Sequence, residues 1–253
     1  MISCKRKGGS TMRKFSSLII VIIAVICFII WDVSEHKQSE PAAKALQLEN
    51  EKTDTVAEDA VPAEITFDNG RGESFNVPLS SIPDFKNYLD EATDIQTELE
   101  RTQVEFLDWN SSNNHYFVLK YGCGNKMCDL VLIQITELHE VKTIYLANGI
   151  FTGSKASEEK AMVRIAENEG STVLRHQIII VDLKTMTILH PVDKNDEESY
   201  FNSPLYPITE FKWMTADTIE LIVADIPDTT YESIEKWFTT TNPPVKHVKI
   251  TIE

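Results

Sequence analysis

Ile178-Ile179-Ile180-Val181, then Asp182-Leu183-Lys184-Thr185-Met186, then Thr187-Ile188-Leu189, sets the character of the folded part of this chain. Four successive β-branched residues favour an extended backbone, and an unbroken apolar run predicts a strand covered on both faces. Asp182 and the polar residues after it read as a turn. Arg175–Leu183 and Thr187–Leu189 are accordingly strand candidates on either side of it.

On either side the same pattern repeats. Val104–Trp109, Tyr116–Tyr121, Asp129–Thr136, Val141–Ala147 and Ala161–Ala166 are strand candidates before the hairpin. Ile208–Trp213, Thr218–Asp225 and Val245–Ile252 follow it, the last with clean alternation. Short strands about ten residues apart predict antiparallel meanders arranged as a sandwich, barrel or propeller. Upstream, Glu64–Asp68 and Glu73–Pro78 flank the turn signal Asn69-Gly70-Arg71-Gly72. One amphipathic helix is expected next: Pro83 suits its first position, and Phe85, Tyr88, Leu89, Ala92, Ile95 and Leu99 recur at helical steps. A second short helix is expected at Tyr231–Phe238, its aromatics capping the sheet.

Phe106-Leu107-Asp108-Trp109 leads through a polar turn into Tyr116–Tyr121, and Phe211-Lys212-Trp213 leads through Met214-Thr215-Ala216-Asp217 into Thr218–Asp225. With the Asp182-Leu183-Lys184-Thr185 turn between them, residues 104–252 resemble β-propeller blades of the TolB and dipeptidyl-peptidase kind. The resemblance implies four-stranded antiparallel units, three of them or a truncated propeller, with Phe106/Trp109 and Phe211/Trp213 at equivalent positions and the Asp182–Met186 turn closing a hairpin of Arg175–Leu183 with Thr187–Leu189. It implies no activity, since blades serve as scaffolds for many functions.

Cys123 and Cys128 bracket a predicted hairpin turn, which brings them within disulfide reach. Their spacing differs from the two-residue separation of redox pairs, and no second Cys or His pair has zinc-ligand spacing. Asp193, Asn195 and Glu197 offer oxygen ligands at Ca²⁺-loop spacing, although the loop lacks the Gly and the Glu that complete such a site. An acidic solvated loop is the plainer reading. Ser157-Glu158-Glu159-Lys160 matches a Ser-x-x-Lys nucleophile pattern without its companion motifs. Six histidines form no triad or metal pattern. Trp237 and Tyr231 would suit a ligand or peptide groove if Trp237 were exposed.

At the other end of the chain, Phe15–Trp31 is an uncharged run behind Lys5, Arg6, Lys7, Arg13 and Lys14. As a helix it would span roughly 26 Å, near the thickness of a bilayer core. Its basic flank places the N-terminus in the cytoplasm and the rest of the chain outside. No small-residue cleavage site follows the run, so an uncleaved anchor is favoured over a secreted form. Lipidation at Cys27 is disfavoured by Ile26 before it, and either Met1 or Met12 as the start preserves the orientation.

The expected organisation is thus a cytoplasmic basic segment at 1–14, an anchor at 15–31, an acidic stalk at 32–63 and a β-rich extracytoplasmic domain at 64–253. The stalk holds eight acids, three Lys/Arg and no aromatic residue, too little apolar surface to order itself, with a weak helix candidate at Ala42–Glu51. If disordered, it would span about 30 Å. Setting the five cations of residues 1–31 aside leaves 19 basic against 39 acidic residues, a formal charge of −20 outside the membrane. Such a surface disfavours nucleic acid and other polyanions and suits divalent cations or a basic partner. With no nucleophile–base set in view, the sequence predicts a membrane-anchored, non-enzymatic binding domain of unassigned envelope or protein ligand. An envelope hydrolase with a dispersed active site is the alternative.

Overall fold

A computed structural model describes residues Lys44–Ala45, 60–109, 114–170 and 172–253. The anchor run, the Cys27 reading, His36 and most of the stalk lie outside the described residues. Among those described, no helix is long and apolar enough to cross a membrane.

The described part is mainly antiparallel β with a few short helices. Its order is β1 (Lys44–Ala45), β2 (Glu64–Asp68), β3 (Ser74–Pro78), α1 (Pro83–Glu91), α2 (Ile95–Arg101), β4 (Gln103–Leu107), β5 (Asn114–Tyr121) and β6 (Cys128–Thr136). Then come β7 (Val141–Ala156), β8 (Lys160–Gly170), β9 (Val173–Asp182), β10 (Thr187–Leu189), β11 (Ile208–Trp213), β12 (Thr218–Ala224), α3 (Tyr231–Thr239) and β13 (Val245–Thr251). An eight-stranded sheet runs β1-β4-β5-β6-β7-β8-β9-β10, a three-stranded sheet runs β11-β12-β13, and β2-β3 form a hairpin. Every strand pairing is antiparallel. The described strands close into no barrel and no propeller.

The long sheet is two meanders that share β7. Val141–Gly149 pairs with β6, and Ile150–Ala156 pairs with β8. Gly149 stands where the partners change. A Cβ there would lie 2.4 Å from Ile165 Cγ2 and 3.0 Å from the Ala166 carbonyl, so a side chain is sterically barred. Just beyond, the register shifts between Phe151 and Gly153 and frees Thr152, whose hydroxyl donates to the Arg164 carbonyl (3.0 Å) and accepts from Arg164 Nε (3.0 Å). Such a bulge bends a strand and sharpens its twist, which lets one strand serve two sheet planes. The sequence expectation ends β7 at Ala147; the strand runs on to Ala156.

Period-two alternation then builds three apolar layers. Phe117, Leu119, Val131 and Ile133 face β2, β3 and α1, where Phe67, Phe85 and Leu89 are fully buried. Val118, Leu130 and Leu132 face the other way, against Val163, Ile165, Ile179 and Val181. Met162, Ile178 and Ile180 pack in turn on Phe211, Ile219, Leu221 and Ile250. The unbroken run 178–181 is apolar because both of its faces are core. Each such side chain contributes about 1.5–3 kcal/mol on burial.

Several expectations need adjusting. The single helix is two: Ala92 leaves the helical region (ψ 139°) and Asp94 caps a new helix by accepting from Thr97 N at 2.9 Å. Lys44–Ala45, inside the weak helix candidate, pair as a strand with β4. The hairpin of β9 and β10 that the blade resemblance implies does form, with Ile188 opposite Val181. Asp182 holds its turn by accepting from Lys184 N (2.9 Å) and Thr185 N (2.7 Å), bonds that keep its carboxyl below the usual range. Phe106 and Phe211 fall on separate antiparallel sheets, while Trp109 lies just past the end of β4.

Candidate functional site

The β7–β8 hairpin borders two adjoining surface recesses. Ser157 shapes its turn: the backbone N–H of Lys160 donates to Ser157 Oγ (3.1 Å), which donates to the Lys160 carbonyl (3.0 Å). The Lys160 ammonium pairs with Asp217. The serine hydroxyl is therefore engaged in holding the turn, and the lysine ammonium in an ion pair with the β11–β12 turn.

A tryptophan stands on each side of this hairpin. Trp109 Nε1 donates to Ser154 Oγ at 3.0 Å, and its ring packs on Tyr116 with centroids 5.0 Å apart. Trp213 Nε1 donates to the Lys155 carbonyl at 3.3 Å. Both rings are half-buried. Between them lies an open recess of about 560 Å³ floored by Ser154–Glu158. A second recess of about 410 Å³ adjoins it, sharing Ser157, Glu158 and Trp213 and reaching Thr215 and Asp217. With both indole N–H groups committed to β7, the rings can offer a ligand only their carbon surface. Sequence reasoning singled out both tryptophans as packing positions. Their approach to one strand was hidden, because no spacing rule links a residue after β4 to the end of β11.

The charges around the recess are mostly paired. Asp108 binds Arg71, whose guanidinium carbon lies 5.5 Å from the Phe106 ring centroid. The Lys155 ammonium sits 5.4 Å from the Phe211 centroid. Glu158 and Glu159, at the tip of the hairpin, are exposed and have no side-chain partner among the described residues.

The disulfide joins Cys123 to Cys128, with Cα atoms 4.1 Å apart. The intervening turn closes with Gly124 N on the Met127 carbonyl at 3.0 Å, and Arg101 from α2 donates to the Cys123 carbonyl at 2.6 Å. Beneath it Tyr145 and Asn148 donate to Asp129 Oδ1 at 2.8 and 3.1 Å, and Tyr88 donates to Glu98. Burial first, then these carboxylates, push the Tyr88 and Tyr145 phenols up to about 12, so at neutral pH they act as hydrogen-bond donors.

The other sequence-selected residues have structural partners. Asp193 accepts from Asn195 N (2.7 Å) to cap a helical turn, and Glu197 lies 3.0 Å from His190 Nδ1. Among the described residues no three His, Cys, Asp or Glu side chains converge as a metal site. Trp237 is buried and donates to the Pro244 carbonyl at 2.7 Å, so the exposure that would suit a groove is not met there. Tyr231 Oη donates to Glu235 at 3.3 Å, one turn along α3. His176 is buried, its Nδ1 accepting from Ile208 N at 3.1 Å, and burial with Arg164 nearby lowers its pKa to about 4. Comparison with models of protein families, with curated proteins and with solved structures found no match.

Proposed function

We propose that this chain is a membrane-anchored extracytoplasmic binding domain. The observation that carries the binding reading is the pair of tryptophans flanking the β7–β8 hairpin. Their N–H groups are spent on the fold and their ring surfaces line two adjoining recesses. A rigid hairpin floor with aromatic walls suits recognition. The Ser157 hydroxyl is taken up by its own turn and the Lys160 ammonium by Asp217, which favours binding over hydrolysis there. A disulfide near the domain's surface fits an oxidising compartment, in keeping with the uncharged run at 15–31 and its cytoplasmic basic flank. Phe106 in β4 and Phe211 in β11, on separate antiparallel sheets, support reading the meanders as blade-like units that stop short of a ring.

The deciding experiment places a C-terminal tag on the full chain in its host. Protease added to intact cells or protoplasts should remove the tag, and the protein should remain in the membrane pellet after a carbonate wash. Protection of the tag would overturn the orientation. A form beginning near residue 32 in the medium would show a secreted protein instead.

A further inference from the structure

From the same cleft, and resting on the binding reading above, we infer that the ligand is a cationic, extended peptide segment whose Lys or Arg side chains lie against Trp109 and Trp213. Three observations converge on it. Both tryptophans use their only polar atom on β7, so what remains is the negative ring face, which attracts ammonium and guanidinium groups. Next to them, Glu158 and Glu159 are exposed and unpaired, whereas the neighbouring Asp108 and Asp217 are already neutralised by Arg71 and Lys160. Elsewhere the fold satisfies its cations on aromatic rings in this way: Arg71 on Phe106, Lys120 on Phe151, Arg164 on Phe211, Lys246 on Tyr206. None of the described cation–ring contacts uses Trp109 or Trp213, although indole is the strongest acceptor of the kind.

Charge complementarity extends beyond the cleft. The part of the chain beyond residue 31 carries −20, which draws a basic segment in and repels anionic polymers. A peptide fits better than a branched or bulky amine because the two recesses meet at Trp213. A backbone crossing that ring can place successive side chains in the recesses of about 560 and 410 Å³.

The test uses the full chain in neutral detergent, with 5-fluorotryptophan incorporated and its resonances assigned by single Trp→Phe changes. The probe is a short lysine–serine peptide blocked at both ends. Controls are the same peptide with every lysine Nζ acetylated, and a chitosan oligomer. Binding by calorimetry should shift the Trp109 and Trp213 fluorine signals and leave Trp237 in place. Glu158→Gln with Glu159→Gln, two exposed positions, should weaken binding about fivefold or more while leaving the melting temperature unchanged. Added salt should weaken binding, as screening requires. Equal binding of the acetylated peptide, no effect of the paired Glu→Gln change, or no binding of the lysine peptide would each overturn the inference. Binding of chitosan alone would overturn the peptide assignment while keeping the cleft as a binding site. The tethered-domain reading fails separately, by protease protection of the C-terminus.

Discussion

Trp109, just past the end of β4, and Trp213, at the end of β11, donate their indole N–H groups to consecutive residues of the same strand, Ser154 and Lys155. The strand is β7, which also joins the two meanders of the long sheet. One hairpin therefore receives anchors from the first meander and from the three-stranded sheet, and the recesses on either side of Trp213 result from that meeting. Anchoring of this kind fixes two large rings with little conformational freedom left to lose on binding.

Trp109 contributes to stability as well as to the cleft. Truncation to Ala would remove its contact with Tyr116 and its bond to Ser154. Because the ring is half-buried, the expected loss is about 2–3 kcal/mol, below the 3–5 kcal/mol of a fully buried aromatic. Denaturant unfolding of Trp109→Ala measures this, and a loss under about 0.5 kcal/mol would place the ring outside the packed structure.

Gly149 is the residue that permits β7 to change partners. Gly149→Ala would drive a methyl group to 2.4 Å from Ile165 Cγ2 and 3.0 Å from the Ala166 carbonyl, backbone that cannot simply rotate away. We expect a loss of about 1–3 kcal/mol from this overpacking. Gly124→Ala, with nothing within 4 Å of the added methyl, should change stability by less than about 0.5 kcal/mol. Comparing the two midpoints checks the steric argument, and equal effects would refute it.

His176 makes the fold acid-sensitive over a defined window. Its folded pKa of about 4 lies below the ordinary 6.5, so between these values the unfolded chain binds a proton that the native protein does not. Stability from this group is therefore full above about pH 6.5 and falls as pH drops toward 4, by up to about 3 kcal/mol. His176→Asn keeps an acceptor for the Ile208 N–H and removes the titration. Wild type should lose more stability than this variant between pH 7 and pH 4; parallel curves would exclude the mechanism.

The Cys123–Cys128 link closes a small ring, which removes little chain entropy. Reduction is expected to cost about 2 kcal/mol or less. Its effect should be local: amide exchange should rise across 122–128 and at Arg101, whose guanidinium holds the Cys123 carbonyl. Peptide mapping without reductant should recover the two cysteines linked, and free thiols in freshly isolated protein would contradict the assignment.

Much of the architecture was legible because β-structure writes itself locally. The continuous run 178–181, the Asp182 turn and the alternation in Val245–Ile252 depend on neighbours one or two residues away. The Cys123–Cys128 pair is local in the same sense, six residues of chain closing on themselves. The helix break at Ala92–Asp94 has a local signal as well, Asp94 three residues before Thr97, which the continuing apolar period masks. Determined by sequence alone were the strand content, the hairpin of β9 with β10, the acidic surface, and the uncharged run with its basic flank. Tertiary structure decided the rest: that β7 continues through Asn148-Gly149 into a second meander, that His176 is buried and accepts from Ile208 N, that Trp237 is buried, and that Trp109 and Trp213 meet at one hairpin. Those outcomes depend on which surfaces close against one another, a long-range packing choice that side-chain periodicity does not encode.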